Sequence, residues 1–288
     1  MSIQARRTPP TLEPASCGLC GGVEAEPVAV GQDFRDPSAP DTYLTVRCSA
    51  CGLLYLTPAP DAEPAPADMP PPVTGPLAPA ARRGLLRLIE RWGRRLQSGS
   101  RLLIPQAARP VAERARLPGV ELLELEPAEH PPTTPADGAL LLGWLETRPA
   151  PLAALQALRP RLRDDARVLV IATNPGSAAA RLFRGRHWAG YDFPRSRALA
   201  NGATLGALAD RAGFVVEACL TLPDPTAWTV SAGYLLRDWG APPWLGRALG
   251  PTSRPAGAIA ALLERLGTER ARAGLVAAAL RLGPGRVA

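Results

Sequence analysis

The chain has 288 residues, 46% of them apolar and 5% aromatic, and a formal charge of +7. That length holds one small module and one domain of roughly 200 residues, each with a core. No apolar run reaches the roughly 18 residues of a membrane span, and the start MSIQARRTPPTLEP lacks the apolar stretch of a secretory leader, so a cytoplasmic protein is expected.

The first element in the chain is a pair of cysteine knuckles. Cys17-Gly-Leu-Cys20-Gly21 and Cys48-Ser-Ala-Cys51-Gly52 are both C-x2-C followed by glycine. The spacing suits one tetrahedral Zn2+ held by the thiolates of Cys17, Cys20, Cys48 and Cys51. Two alternatives are a redox C-x-x-C, which would stand singly near a βαβ pattern, and two disulfides, which need an oxidising compartment. The glycine after each second cysteine lets the backbone take a positive φ and turn its amides towards the sulfurs. Residues around Thr42–Cys48 and Leu53–Thr57 are of strand type. The expected division is a zinc ribbon over 1–57, a linker over 58–81 and an α/β domain over 82–288. The linker has nine prolines among its 24 residues and should be extended.

A helix is predicted at about 80–97, with Leu85, Leu88, Ile89, Trp92 and Leu96 on one face and arginines on the other. Every basic residue in the chain is arginine. That uniform bias argues against reading single arginines as recognition sites, and Arg82, Arg83, Arg87, Arg91, Arg94 and Arg95 are expected on a solvated face or, alternatively, against an anionic partner. Strands are predicted at 101–104, 120–125, 138–142, 167–173, 214–220 and 274–280. Helices are predicted at 109–116, 150–162, 202–212 and 256–272. Alternation of this kind argues for a mostly parallel sheet with helices on both faces. Cys219, inside FVVEACLTL, is expected as a small core residue. Residues 227–272 hold Trp228, Tyr234, Trp239 and Trp244 and are expected to form a helical cover, a lid or a dimer surface.

Four segments in order resemble one family. They are Cys48-Ser-Ala-Cys-Gly-Leu-Leu-Tyr-Leu-Thr-Pro58, Asp137-Gly-Ala-Leu-Leu-Leu-Gly-Trp-Leu-Glu146, the stretch RVLVIATNPGS ending at Ser177, and Trp188-Ala-Gly-Tyr-Asp-Phe-Pro-Arg195 with Thr204-Leu205 and Ala212-Gly-Phe214. Together they are similar to class I S-adenosylmethionine-dependent methyltransferases that carry an N-terminal zinc ribbon. The resemblance implies a Rossmann-like sheet of seven strands, the last antiparallel. It also implies a methyl donor at the carboxyl ends of the first strands, where doubly wound sheets bind ligands. Carried over residue by residue, it places Gln106, Ala107, Leu145 and Glu126 beside the donor, with Glu126 towards its ribose. It places Trp188, Tyr191 and Arg195 on the substrate side, with His187 as the candidate base.

The sequence departs from the family at the donor turn. The glycine-rich loop is replaced by Leu103-Ile-Pro-Gln-Ala-Ala-Arg-Pro110, which has no glycine. Each Cβ takes space the donor would occupy, and two prolines remove amide donors. The family's two motif histidines are Thr147 and Ser196 here, and His130 falls in a proline-rich loop. Two functions follow. One is a methyltransferase acting on a small-molecule, sugar or natural-product acceptor. The other is an inactive pseudo-methyltransferase serving as a binding or scaffold module with a protein partner. Nucleic acid fits poorly, because residues 1–60 carry four arginines against six acids and aromatic side chains are few.

Overall fold

The computed structural model describes residues 16–36, 41–58, 79–125, 134–250, 253–268 and 272–283. Two sheets organise it. The smaller begins with β1 (Ala25–Gln32), β2 (Thr42–Cys48) and β3 (Leu54–Thr57), paired antiparallel in that order. Sequence patterning identifies β2 and β3; β1 lacks a continuous β-branched run and is set by its pairing. A fourth strand, β8 (Ala198–Leu199), comes from the α/β domain and pairs Leu54 with Leu199 and Tyr55 with Ala198. The ribbon sheet is thus completed from outside the ribbon.

The larger sheet holds β4 (Arg101–Ile104), β5 (Glu121–Glu124), β6 (Ala136–Leu142), β7 (Leu162–Thr173), β9 (Phe214–Leu222) and β10 (Leu275–Leu282). Its order is β5-β4-β6-β7-β10-β9, and β10 runs antiparallel to both neighbours while the other strands run parallel. The last strand is therefore the antiparallel one, as expected. Six strands are present among the described residues; 126–133, between β5 and β6, lie outside them.

Side chains of β4 and β7 alternate between two cores, as the period of two demands. Leu102, Ile104, Leu169 and Ile171 pack with Leu85, Ile89 and Trp92 of α1 (Pro79–Gly93) and with Ala112 of α2 (Arg109–Arg114). The α1 arginines Arg82, Arg83, Arg87 and Arg91 are exposed, as the pattern predicts. On the other face, Leu103, Val168 and Val170 pack with Leu155 and Leu158 of α3 (Pro151–Leu158) and Leu205 and Leu208 of α5 (Gly202–Arg211). Cys17, Leu19, Leu53 and Tyr55 of the ribbon belong to this same cluster.

A short helix α4 (Ala178–Leu182) follows β7, and α6 (Pro225–Asp238), α7 (Pro243–Leu249) and α8 (Arg254–Thr268) form the C-terminal cover. In α8 the usual arrangement is reversed. Ala256, Ala260 and Glu264 face inwards, while Ile259, Leu262 and Leu266 are exposed. Glu264 explains this, because its buried carboxylate accepts from Asp224 N–H at 2.9 Å, Gly274 N–H at 2.9 Å and Trp228 Nε1–H at 2.6 Å. Those three donors tie α8 to the starts of α6 and β10. Cys219 departs from the core placement expected for it. It is exposed on β9, which is the sheet edge and is covered less than its apolar sequence suggests.

Candidate functional site

The four cysteines converge. Their Sγ atoms all lie within 4.8 Å of one another, with Cys17–Cys51 at 3.5 Å and Cys20–Cys48 at 3.4 Å. Four thiolates around Zn2+ at the usual Zn–S distance would sit about 3.8 Å apart, so the donor set fits the metal. Each knuckle closes in the same way. Gly21 N–H donates to Cys17 O at 2.8 Å and Gly52 N–H to Cys48 O at 2.9 Å. Gly21 has φ +75° and Gly52 φ +77°, the left-handed conformation the motif requires. Gly22 N–H points at Cys20 Sγ at 3.4 Å. Burial works against ionising Cys48, but the amide of Cys51, the Cys20 thiol and the amide of Ala50 bring its thiol down to about 7.

The first knuckle is pressed onto the α/β domain. A Cβ on Gly18 would stand 2.6 Å from Pro149 O and 2.8 Å from Pro151 Cδ. Arg211 donates to Leu19 O at 2.7 Å. The Trp188–Arg195 segment holds the other side. Arg195, 3% exposed, donates from Nη2 to both carboxylate oxygens of Asp33, just after β1, at 2.8 and 2.7 Å. Asp192 has φ +36° and accepts from Arg35 at 2.8 Å. Trp188 and Phe193 are buried with Leu54 and Leu56 of the ribbon. Of the three residues placed on the substrate side, Arg195 and Trp188 therefore clasp the ribbon, and Tyr191 lines a cleft.

The donor turn is compact. After Ile104 the backbone passes through buried Pro105 into a 3-10 turn (Gln106–Ala108) and directly into α2. Ala108 is fully buried, Ala107 half-buried and Gln106 exposed. Arg109 reaches across to β5, 3.7 Å from Glu124 Oε1 and 3.3 Å from Leu122 O. Arg161 donates to Leu125 O at 2.7 Å. Arginine side chains thus occupy the carboxyl end of β5. Leu145 is buried in the core, and Glu126 and His130 lie outside the described residues. His187 sits near the surface with Nε2 2.6 Å from Asp238 Oδ2, beside Arg186. Despite partial burial, His187 and Arg186 hold the Asp238 carboxyl below its ordinary range.

One residue of interest was not singled out from sequence. Glu146, in the 3-10 turn (Leu145–Thr147) that follows β6, is 1% exposed and accepts from Thr173 N–H. Leu53, Leu145, Ala198, Leu205 and Leu208 surround it. Burial, opposed by Thr173 and aided by the charges of Asp192 and Asp224, pushes its carboxyl up to about 7. Its place after an apolar strand, at the end of the Asp137–Glu146 segment, is the signal the sequence offers for it.

No protein-family model and no curated protein matches the chain. Among solved structures it is similar to the [4+2]-cyclase SpnF, at 18% identity over 72% of this chain and 82% of that one, with a TM-score of 0.40. It is also similar to the 1,6-didemethyltoxoflavin-N1-methyltransferase of Burkholderia thailandensis, at 13% identity over 71% and 79%, TM-score 0.37. A third is a SAM-dependent methyltransferase from Thiobacillus denitrificans in complex with S-adenosyl-L-homocysteine, at 16% identity over 73% and 94%, TM-score 0.36.

Proposed function

We propose that the chain is a methyltransferase-like protein with a structural zinc ribbon that works as a binding module and no longer holds S-adenosylmethionine in the usual pose. The turn after β4 carries this reading. It offers buried Pro105 and Ala108 where a glycine backbone would let a donor approach, and Arg109 spans to β5 in front of it. Zinc, held by Cys17, Cys20, Cys48 and Cys51, fixes the ribbon and takes no part in chemistry, since four protein ligands leave no open position. The four reduced thiolates suit the cytoplasm. Among the described residues no helix is long and apolar enough to cross a membrane.

Glu146 favours a second reading, methyl transfer to a small-molecule, sugar or natural-product acceptor. Its carboxyl, raised to about 7 by burial in the turn after β6, has the acidity of a general base, and an acceptor would reach it only by opening the shell of Leu53, Leu145, Leu205 and Leu208 around it. Calorimetry of the zinc-loaded chain with S-adenosylmethionine and S-adenosylhomocysteine separates the two. The binding-module reading expects no heat at millimolar ligand. A micromolar dissociation constant would sink it and favour the enzyme.

A further inference from the structure

Between the ribbon and the α/β domain lies a cleft of about 460 Å³. Its size is that of a small-molecule site. Arg47 of β2 faces it from the ribbon, and Arg181 and Arg184, within and just after α4, face it from the α/β domain. No carboxylate lines the cleft, and none of the three guanidinium groups makes an ion pair among the described residues. Arg184 uses its Nε–H on Arg181 O at 3.1 Å. This sets the group apart from the arginines of the clasp, since Arg35 and Arg195 are paired with Asp192 and Asp33. Tyr191 adds a phenol close enough to feel the charge of Arg47, while burial keeps its hydroxyl neutral and able to donate. Val28, Leu54 and Pro175 supply an apolar wall.

We propose that this cleft binds a small organic molecule bearing a diphosphate group, gripped by Arg47 from one side and by Arg181 and Arg184 from the other. Three guanidinium charges match the roughly three negative charges of a diphosphate near neutral pH, and the planar fork of arginine suits phosphate oxygens. A lone phosphate would fill little of the volume, so the remainder takes an organic portion against the apolar wall. The site is independent of the donor turn.

The test is titration calorimetry of the zinc-loaded full chain with inorganic pyrophosphate, phosphate and citrate. Pyrophosphate should bind more tightly than phosphate or citrate. R47A, and separately R181A/R184A, should weaken it by roughly tenfold or more. R82A/R83A, on the exposed face of α1, should leave it unchanged, and circular dichroism should show all variants folded. Absence of binding at millimolar pyrophosphate would overturn the proposal. So would an equal loss in R82A/R83A, or citrate binding as tightly as pyrophosphate.

Discussion

Replacing Glu146 with Gln tests whether a buried carboxyl makes this fold sensitive to pH. In the folded protein its carboxyl titrates at about 7, well above an ordinary glutamate. The native state therefore keeps a proton that the unfolded chain releases near pH 4.5, and the sign follows from linkage. The stabilisation is fully present below the unfolded value and is lost as pH rises through about 7. Between pH 5.5 and 8.5 the loss from this group is about 2 kcal/mol. Asp192 and Asp224, each raised to about 6 mainly by burial, tilt the curve the same way. Glu146→Gln keeps an acceptor for Thr173 N–H and removes only the titration. Urea melts of both proteins, with zinc saturating, should show the variant gaining about 2 kcal/mol on wild type across that window. The metal's own pH dependence cancels in the comparison. Parallel curves for the two proteins would refute the reasoning.

Elemental analysis should find about one zinc per chain, lost in Cys48→Ser, and chelation should lower the melting temperature of the whole chain because Cys17 and Cys48 share a core with Leu205 and Phe214. Gly18→Ala should cost about 1–3 kcal/mol in thermal or urea unfolding, because its Cβ meets Pro149 O; a neutral result would mean the knuckle is not docked there. Glu264→Ala should cost about 3 kcal/mol or more and change the near-ultraviolet signal of Trp228, since three buried donors lose their acceptor; an unchanged spectrum would contradict the network.

The parallel sheet was legible because apolar runs such as Arg167–Thr173 alternate with helical periods. The knuckles were legible because ligand spacing is a local property. Contacts set by distant residues were not. The two-residue β8 carries no pattern, yet it completes the ribbon sheet across more than a hundred residues of chain. Arg195 reads as a site residue until Asp33 is found against it, and those two lie 162 positions apart. Cys219 sits in an apolar run, and only strand order reveals that this run forms an edge. In α8 the periodicity indicates a helix but not which face turns inwards, because Glu264 finds partners on two other elements.

The four-cysteine ribbon packs as part of the α/β domain's core. β3 sends Tyr55, beside the preceding Leu53, into the core under the large sheet, and Leu54 and Leu56 into the cluster with Trp188, Phe193 and Trp228. A strand buried on both faces cannot leave without exposing both clusters. The Arg195–Asp33 pair adds a second constraint, since separating it would strand a desolvated charge on each side. Arg47 reaches the cleft only while β3 stays paired to β8 and holds β2 in place. A metal held by the four cysteines would fix the ribbon that carries Arg47 without touching the cleft, and stripping the zinc should weaken pyrophosphate binding by at least the roughly tenfold expected of R47A.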